Sequence, residues 1–380
     1  MKFLFASDSF KGTLSSRRTA ELLTQAAEEI FPGCECAGLE VADGGEGTTE
    51  AVLSAVDGRK LSVMVKGPLW EQREAFYGAL DENRAVMEMA EASGLPLVPK
   101  ELRDPRNTTT FGTGEMIRDA IDRGFRDISI AIGGSATNDG GIGCMRALGV
   151  RFLDESGQEL RGCGADLIKI RTIDCSGLDT RIKERKVRFT VMCDVKNPLC
   201  GADGAAYTFG KQKGGTPEML DELEAGMQNY RDLLLQEFGV NMDEVPGAGA
   251  AGGLGAALTA FLNAELKSGI ETVLDLIGFE EKLQGVSLVV TGEGRADWQS
   301  VFGKVMQGVG SRCQRMGVPA VAIVGSMGTG AEQIFDHGIE SIMTTVNGIM
   351  PLEEAMERAE ELYLGAARRM FRMLRAARGL

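Results

Sequence analysis

Six times along this chain an apolar run of strand length stops abruptly in a loop of glycines and charged or hydroxyl side chains. FLFA (3–6) empties into SDSFKG, LEV into ADGGEGT, SIAI into GGSATNDGG, TVMC into DVKNPLCG, LVV into TGEGRADWQS and AIV into GSMGTG. Strand, glycine turn and helix in succession is the repeating unit of parallel sheets, because parallel neighbours need a crossover that usually carries a helix. Ligands of such sheets bind outside the carboxyl ends of the strands, where helix N-termini favour anions. A single glycine turn beside an Asp or Ser is ordinarily a tight connection with an N-cap. Capping does not account for Lys11, Arg295 and Lys304, however, and the repetition points to one cleft in which glycines admit phosphate oxygens, cations offset them and carboxylates hold a metal or take a proton.

The order of the elements suggests two domains, which 380 residues can supply with a core each. The chain starts with strand 3–6, a periodic helix near 16–31, strand 36–41 and a second helix near 48–56. From about Leu61 to Met89 it changes to short alternating strands, as in an antiparallel hairpin set. Strands at 127–133 and 187–193, a long helix near 217–238 and an apolar helix opening on PGAGAAGGLGAALTAFL (246–262) follow. The tail returns to strict alternation of strand and helix. The expected fold is α/β: a discontinuous Rossmann-like parallel-sheet domain, residues 1–65 plus 287–380, with a second α/β domain containing antiparallel strands inserted at 66–286.

Charge and composition exclude several functions. A net charge of −14 argues against nucleic-acid binding or a partner on an anionic membrane. Eight cysteines without a CxxC pair, and a single histidine, argue against a disulfide framework or a structural zinc, and the expected location is cytoplasmic. The opening MKFLFASDSFKG has too short an apolar run for a secretion signal. His337, followed by Gly338, reads as a helix-terminal charge, and no G-x-S-x-G is present for a Ser-His-Asp hydrolase. GxxxxGK[ST] is absent as well, and the glycines at 246–255 do not keep Rossmann spacing, so they suit a phosphate cradle or close helix packing equally. Lys211 and Lys213, in FGKQKGG, read as a solvated charge pair.

Seven stretches, DSFKGTLS, ADGGEGT, IGGSATNDGG, CDVKNPLCG, FGKQKG, PGAGAAGGLGAAL and TGEGRADWQS, resemble in order and spacing the signatures of the type I bacterial glycerate kinases. The resemblance runs nearly end to end. It implies ATP-dependent phosphorylation of D-glycerate with Mg²⁺, most members yielding 2-phosphoglycerate, at a site in an inter-domain cleft. Partners other than these small molecules are not expected, apart from an optional homodimer. Ser7 stands where the family usually has Pro, and Ala296 and Trp298 depart from the usual GEGRID and small residue, so Trp298 could narrow the acceptor pocket.

The resulting catalytic candidates are Asp8, Lys11, Asp43, Asp194 and Arg295. Asp194, Glu293 and Asp297 are candidates for the magnesium shell, since Mg²⁺ takes carboxylate oxygens and retains waters. Gly133, Gly134, Ser135, Gly249, Gly252, Gly253 and Lys304 are candidates for phosphate or nucleotide binding. Either Asp8 or Asp43 could take the acceptor hydroxyl's proton, and Lys11 and Arg295 could hold phosphates or the glycerate carboxylate. A non-catalytic binder of small hydroxy acids and a kinase for another short hydroxy acid remain the alternatives.

Overall fold

The structure is a computed structural model and describes residues 1–10, 12–301 and 303–377, so Lys11 lies outside the described residues. Two compact units emerge, one comprising Met1–Asp43, Ser54–Val56 and Gly269–Leu380, the other Gly44–Leu53 and Asp57–Ser268. Their borders differ from those expected near 65 and 286. Lys282 Nζ donates to the Ala55 carbonyl, and the Gly269–Leu276 helix is tied to the Val305–Met316 helix, so both segments group with the first unit.

The first unit is built on a five-stranded sheet in the order Ile339–Thr344, Ala320–Val324, Leu288–Thr291, Lys2–Phe5, Glu35–Gly38. Every neighbour in it is parallel. All five strands therefore release their following loops at the same edge. The Ser16–Ile30 helix presents Leu22, Leu23, Ala26, Ala27 and Ile30 at helical spacing and buries them. Ser15 caps that helix, its hydroxyl accepting from the Arg18 N–H. The Ala359–Ala377 helix joins the same core through Phe371, whose ring lies 5.1 Å from Phe3. The sequence pattern suggested a strand over 36–41, whereas pairing ends at Gly38. A Cβ at Gly38 would come within 2.8 Å of the Ala20 Cβ, so the first helix presses on the strand where it ends.

The second unit holds a six-stranded sheet in the order Glu265–Lys267, Arg188–Met192, Asp127–Ala131, Arg84–Glu88, Gln72–Ala79, Arg59–Lys66. The last three strands form the antiparallel set expected over about Leu61 to Met89, and the remaining pairs are parallel. Exposed Met64 and buried Val65 show the alternation expected of a half-covered strand. The Pro217–Phe238 helix carries Pro at its first position, is capped by Thr216 and stops at left-handed Gly239. His337 closes a short 3₁₀ turn before left-handed Gly338, a terminal position like the one its sequence context suggested. Among the described residues no helix is long and apolar enough to cross a membrane.

Arg312 ties three segments of the first unit together. Only 5% exposed, it pairs at 2.7 Å with each of Glu271, Asp275 and Glu280. Burial opposes its charge, but these carboxylates more than offset that and raise its pKa. In Arg312→Met the three acids would face one another without a cation. We expect a loss of about 2–4 kcal/mol, toward the lower end because the acids are partly solvated, measured as a lower urea midpoint.

Candidate active site

The first-unit sheet delivers its charged loops to one pocket of about 600 Å³, lined by Asp8, Asp43, Glu293, Arg295 and Lys304 among others. Asp8 is placed by extension of the strand ladder: its N–H donates to the Gly292 carbonyl at 2.9 Å, and the Thr291 hydroxyl donates to the Ala6 carbonyl at 2.7 Å. Its carboxylate accepts from the Ser9 N–H at 2.6 Å. Gly292 is required at this point, because a Cβ there would lie 1.8 Å from the Ile323 carbonyl oxygen. The small residues that end LVV thus let two neighbouring strand tips close on each other before the charged residues begin.

Glu293 is buried, and its carboxylate accepts from the Ser300 hydroxyl and lies 4.0 Å from Lys304 Nζ. Burial pushes its carboxyl above the usual carboxylate range, Ser300 and Lys304 pull against that, and the negative charges of Asp8 and Asp297 add to it. Arg295 is exposed and sits 3.4 Å from Asp297, which also accepts from the Gln299 N–H at 2.9 Å. Lys304 stands at the N-cap of the Val305–Met316 helix. Trp298 is exposed and is not part of the pocket lining among the described residues; its backbone N–H donates to the Thr329 carbonyl at 3.1 Å.

The remaining candidates belong to the second unit. Gly133 and Gly134 are exposed where the Asp127–Ala131 strand ends, and Ser135 beside them is buried. Asp194 is exposed beyond the Arg188–Met192 strand. Gly249, Gly252 and Gly253 are buried within protein. A Cβ on Gly249 would lie 2.1 Å from the Pro198 carbonyl, one on Gly252 1.9 Å from the Thr137 carbonyl, and one on Gly253 2.8 Å from the Gly140 Cα. Ala251, Gly252 and Gly253 are left-handed, with φ of 52°, 69° and 90°, so the chain turns tightly into the Ala250–Leu262 helix. This geometry gives the glycine run a packing role, one of the two readings its sequence allowed.

Three further polar side chains of the second unit were not among the site candidates drawn from the sequence. Lys213, read as solvated, is in fact 2% exposed; its Nζ donates to the Thr137 carbonyl at 2.6 Å and to Asn138 Oδ1 at 3.2 Å, and burial pushes its pKa down to about 7. Asp139 is fully buried and accepts from Thr110 N–H and hydroxyl and from the Gly141 and Gly143 N–H groups. Glu88 accepts from the Gly47 N–H at 3.1 Å and the Thr49 N–H at 2.7 Å, holding the first turn of the Thr48–Ala55 helix. The glycines flanking Lys213 in FGKQKGG were the available signal, since Gly214 is left-handed and packs against Arg103.

The raised Glu293 pKa sets a pH-dependent cost. The folded state holds that proton more tightly than the unfolded chain does, so stability declines as pH rises through the interval up to the folded pKa and stays lower above it. Glu293→Gln should therefore raise the urea midpoint at pH 8, with the gain vanishing toward pH 4.

Comparison with known proteins places this geometry in a family. The profile of the Glycerate kinase family matches residues 3–375. The glycerate kinase of Bacillus subtilis (strain 168) is 46% identical over 369 residues, covering 97% of this chain and 96% of that protein. Glycerate 2-kinase of Escherichia coli (strain K12) is 44% identical, with coverage of 97% and 96%. A crystal structure provisionally assigned as glycerate kinase 2 of Salmonella typhimurium LT2 superposes with a TM-score of 0.88 at 43% identity, covering 100% of both chains. A profile match spanning nearly every residue, together with such relatives, establishes that this chain belongs to the glycerate kinase family.

Proposed function

We propose that this chain transfers the γ-phosphoryl group of ATP to D-glycerate, giving 2-phosphoglycerate and ADP, at the charged pocket of its first unit. One observation carries the reading beyond family membership: three carboxylates and two cations, supplied by three strand-to-helix connections, line a single pocket at the carboxyl edge of a parallel sheet. Phosphoryl transfer asks a protein chiefly to hold donor and acceptor in line and to offset charge on the moving group. Arg295 and Lys304 supply that offset, with the planar guanidinium suited to grip a phosphate or the glycerate carboxylate through two donors. A carboxylate, Asp8 or Asp43, takes the proton of the acceptor hydroxyl as its oxygen attacks phosphorus and ADP departs.

The donor set suits a hard divalent cation. Glu293 is buried with Asp8 and Asp297 close enough to raise its proton affinity, an excess of negative charge that Mg²⁺ would relieve. Among the described residues no group of three acidic, histidine or cysteine side chains forms a complete cage, and a nucleotide-borne Mg²⁺ needs only one or two protein carboxylates. We assign Glu293 and Asp297 to it. When bound, the ion would neutralise phosphate charge. Eight free cysteines and the acidic composition fit a reducing, cytoplasmic setting.

A coupled assay for ADP with D-glycerate and ATP tests the reading, with a panel of other short hydroxy acids as competitors and phosphorus NMR of the product. Chelating Mg²⁺ should abolish turnover. Arg295→Ala should lower kcat/KM by about 10²–10³-fold, and Asp194→Asn, tested separately, should also reduce the rate. Of Asp8→Asn and Asp43→Asn, the variant lacking the base should lose about 10²–10⁴ in kcat together with the acidic limb of the pH profile. Parental rates in all four variants would remove the site assignment.

A further inference from the structure

We propose that the apolar part of the first-unit pocket seats the purine ring of the nucleotide; this rests on the kinase reading above. Beside its charged residues, the pocket is lined by Phe10, Leu14, Val346, Met350, Leu352 and Met356. These come from two segments, the loop after the Lys2–Phe5 strand and the connection from the Ile339–Thr344 strand into the Leu352–Glu357 helix. Both segments are anchored. The Thr345 N–H donates to the Val324 carbonyl at 2.8 Å, the Thr344 hydroxyl to the Val346 carbonyl at 3.3 Å, and Arg369 to the Thr344 carbonyl at 3.2 Å. Phe10 is held edge-on against Tyr363, with ring centres 5.3 Å apart. A Cβ at Gly12 would lie 3.4 Å from Met356 Cε, which brings the two segments together.

This surface is costly to leave bare. Leu352 is 75% and Met356 42% exposed, although they border the same pocket as Asp8, Asp43, Glu293, Arg295 and Lys304. Apolar side chains left open beside convergent polar groups are the usual composition of a small-molecule site. Of the reactants, glycerate and the triphosphate are polar throughout, and only the nucleoside brings a flat, weakly hydrated face. The volume of about 600 Å³ also exceeds what a three-carbon acid requires and falls within the range of sites for larger ligands. Thioethers suit the task, because they adapt to a ring and make favourable sulfur–aromatic contacts. The phosphates would then extend toward Arg295 and Lys304, which line the same pocket.

The test is calorimetric titration of the parent chain and of the double variant Leu352→Ser, Met356→Ser with ATP and, separately, with inorganic triphosphate. Both positions are exposed and both replacements are neutral, so the core and the pocket's charge are left intact. We expect the ATP dissociation constant to rise about tenfold or more while that of inorganic triphosphate stays within about twofold. Unchanged ATP affinity, or equal weakening of the two ligands, overturns the proposal. Failure of the kinase reading is a separate result: it would appear as no glycerate-dependent ADP release by the parent, whereas the titration judges the purine seat through binding alone.

Discussion

Asp8 and Glu293 reach one pocket because the strands ahead of them, Lys2–Phe5 and Leu288–Thr291, run side by side in a parallel ladder. The ladder continues past both strands through Ala6 and Asp8, so the charged residues start from backbone fixed on either side. Each further strand adds its own loop at the same edge, and a parallel sheet lets sequence-distant segments deliver side chains to one place without long excursions of chain. Glycine is needed where those tips touch. Gly292 against Ile323 and Gly325 against Gly294 leave no room for a Cβ. The strands set the position of the site, and the loops set its chemistry.

The second unit handles polar burial differently. Its loop at 137–141 is held by side chains with almost no access to water: Lys213 from one segment, and Asp139 receiving hydrogen bonds from Thr110 and from two glycine amides. Gly252 approaches that loop closely, its carbonyl accepting from the Gly140 N–H at 2.9 Å. A buried polar network of this kind stabilises only when its members are satisfied, and then it fixes a single loop conformation. Exposed Gly133 and Gly134 stand just ahead of the loop, so a rigid base supports an open tip.

Much of the architecture was legible because periodicity reports burial directly. Alternation from about Leu61 to Met89 marked the antiparallel strands, the long helix was expected near 217–238 where Pro217–Phe238 lies, and short apolar runs before glycine turns marked parallel strands. Burial of charge was not legible. Lys213 sits two residues from Lys211 and looks like half of a solvated pair; the flanking glycines hint at close packing, but the Thr137 carbonyl and Asn138 that meet its ammonium lie about 75 residues away in the chain. The glycines at 249–253 were ambiguous for a related reason: a turn that admits a phosphate and a turn that admits another backbone require the same absence of a Cβ. Glu88 escaped notice since the amides it holds belong to a helix about forty residues earlier in the chain.

The order of the strands also bears on synthesis. Translation produces the Lys2–Phe5 strand almost at once, yet one of its two neighbours, Leu288–Thr291, leaves the ribosome only after the whole of Asp57–Ser268 has been made. Until then one edge of the nascent first sheet has backbone amides and carbonyls without their final strand, the kind of edge that invites pairing with other chains. Gly44–Leu53 and Asp57–Ser268 carry a sheet and a core of their own and can condense during that delay. Assembly of the charged pocket thus waits for about the last quarter of the polypeptide, and a chain truncated there would have the second unit's loops but not the completed sheet on which Asp8 and Glu293 are mounted.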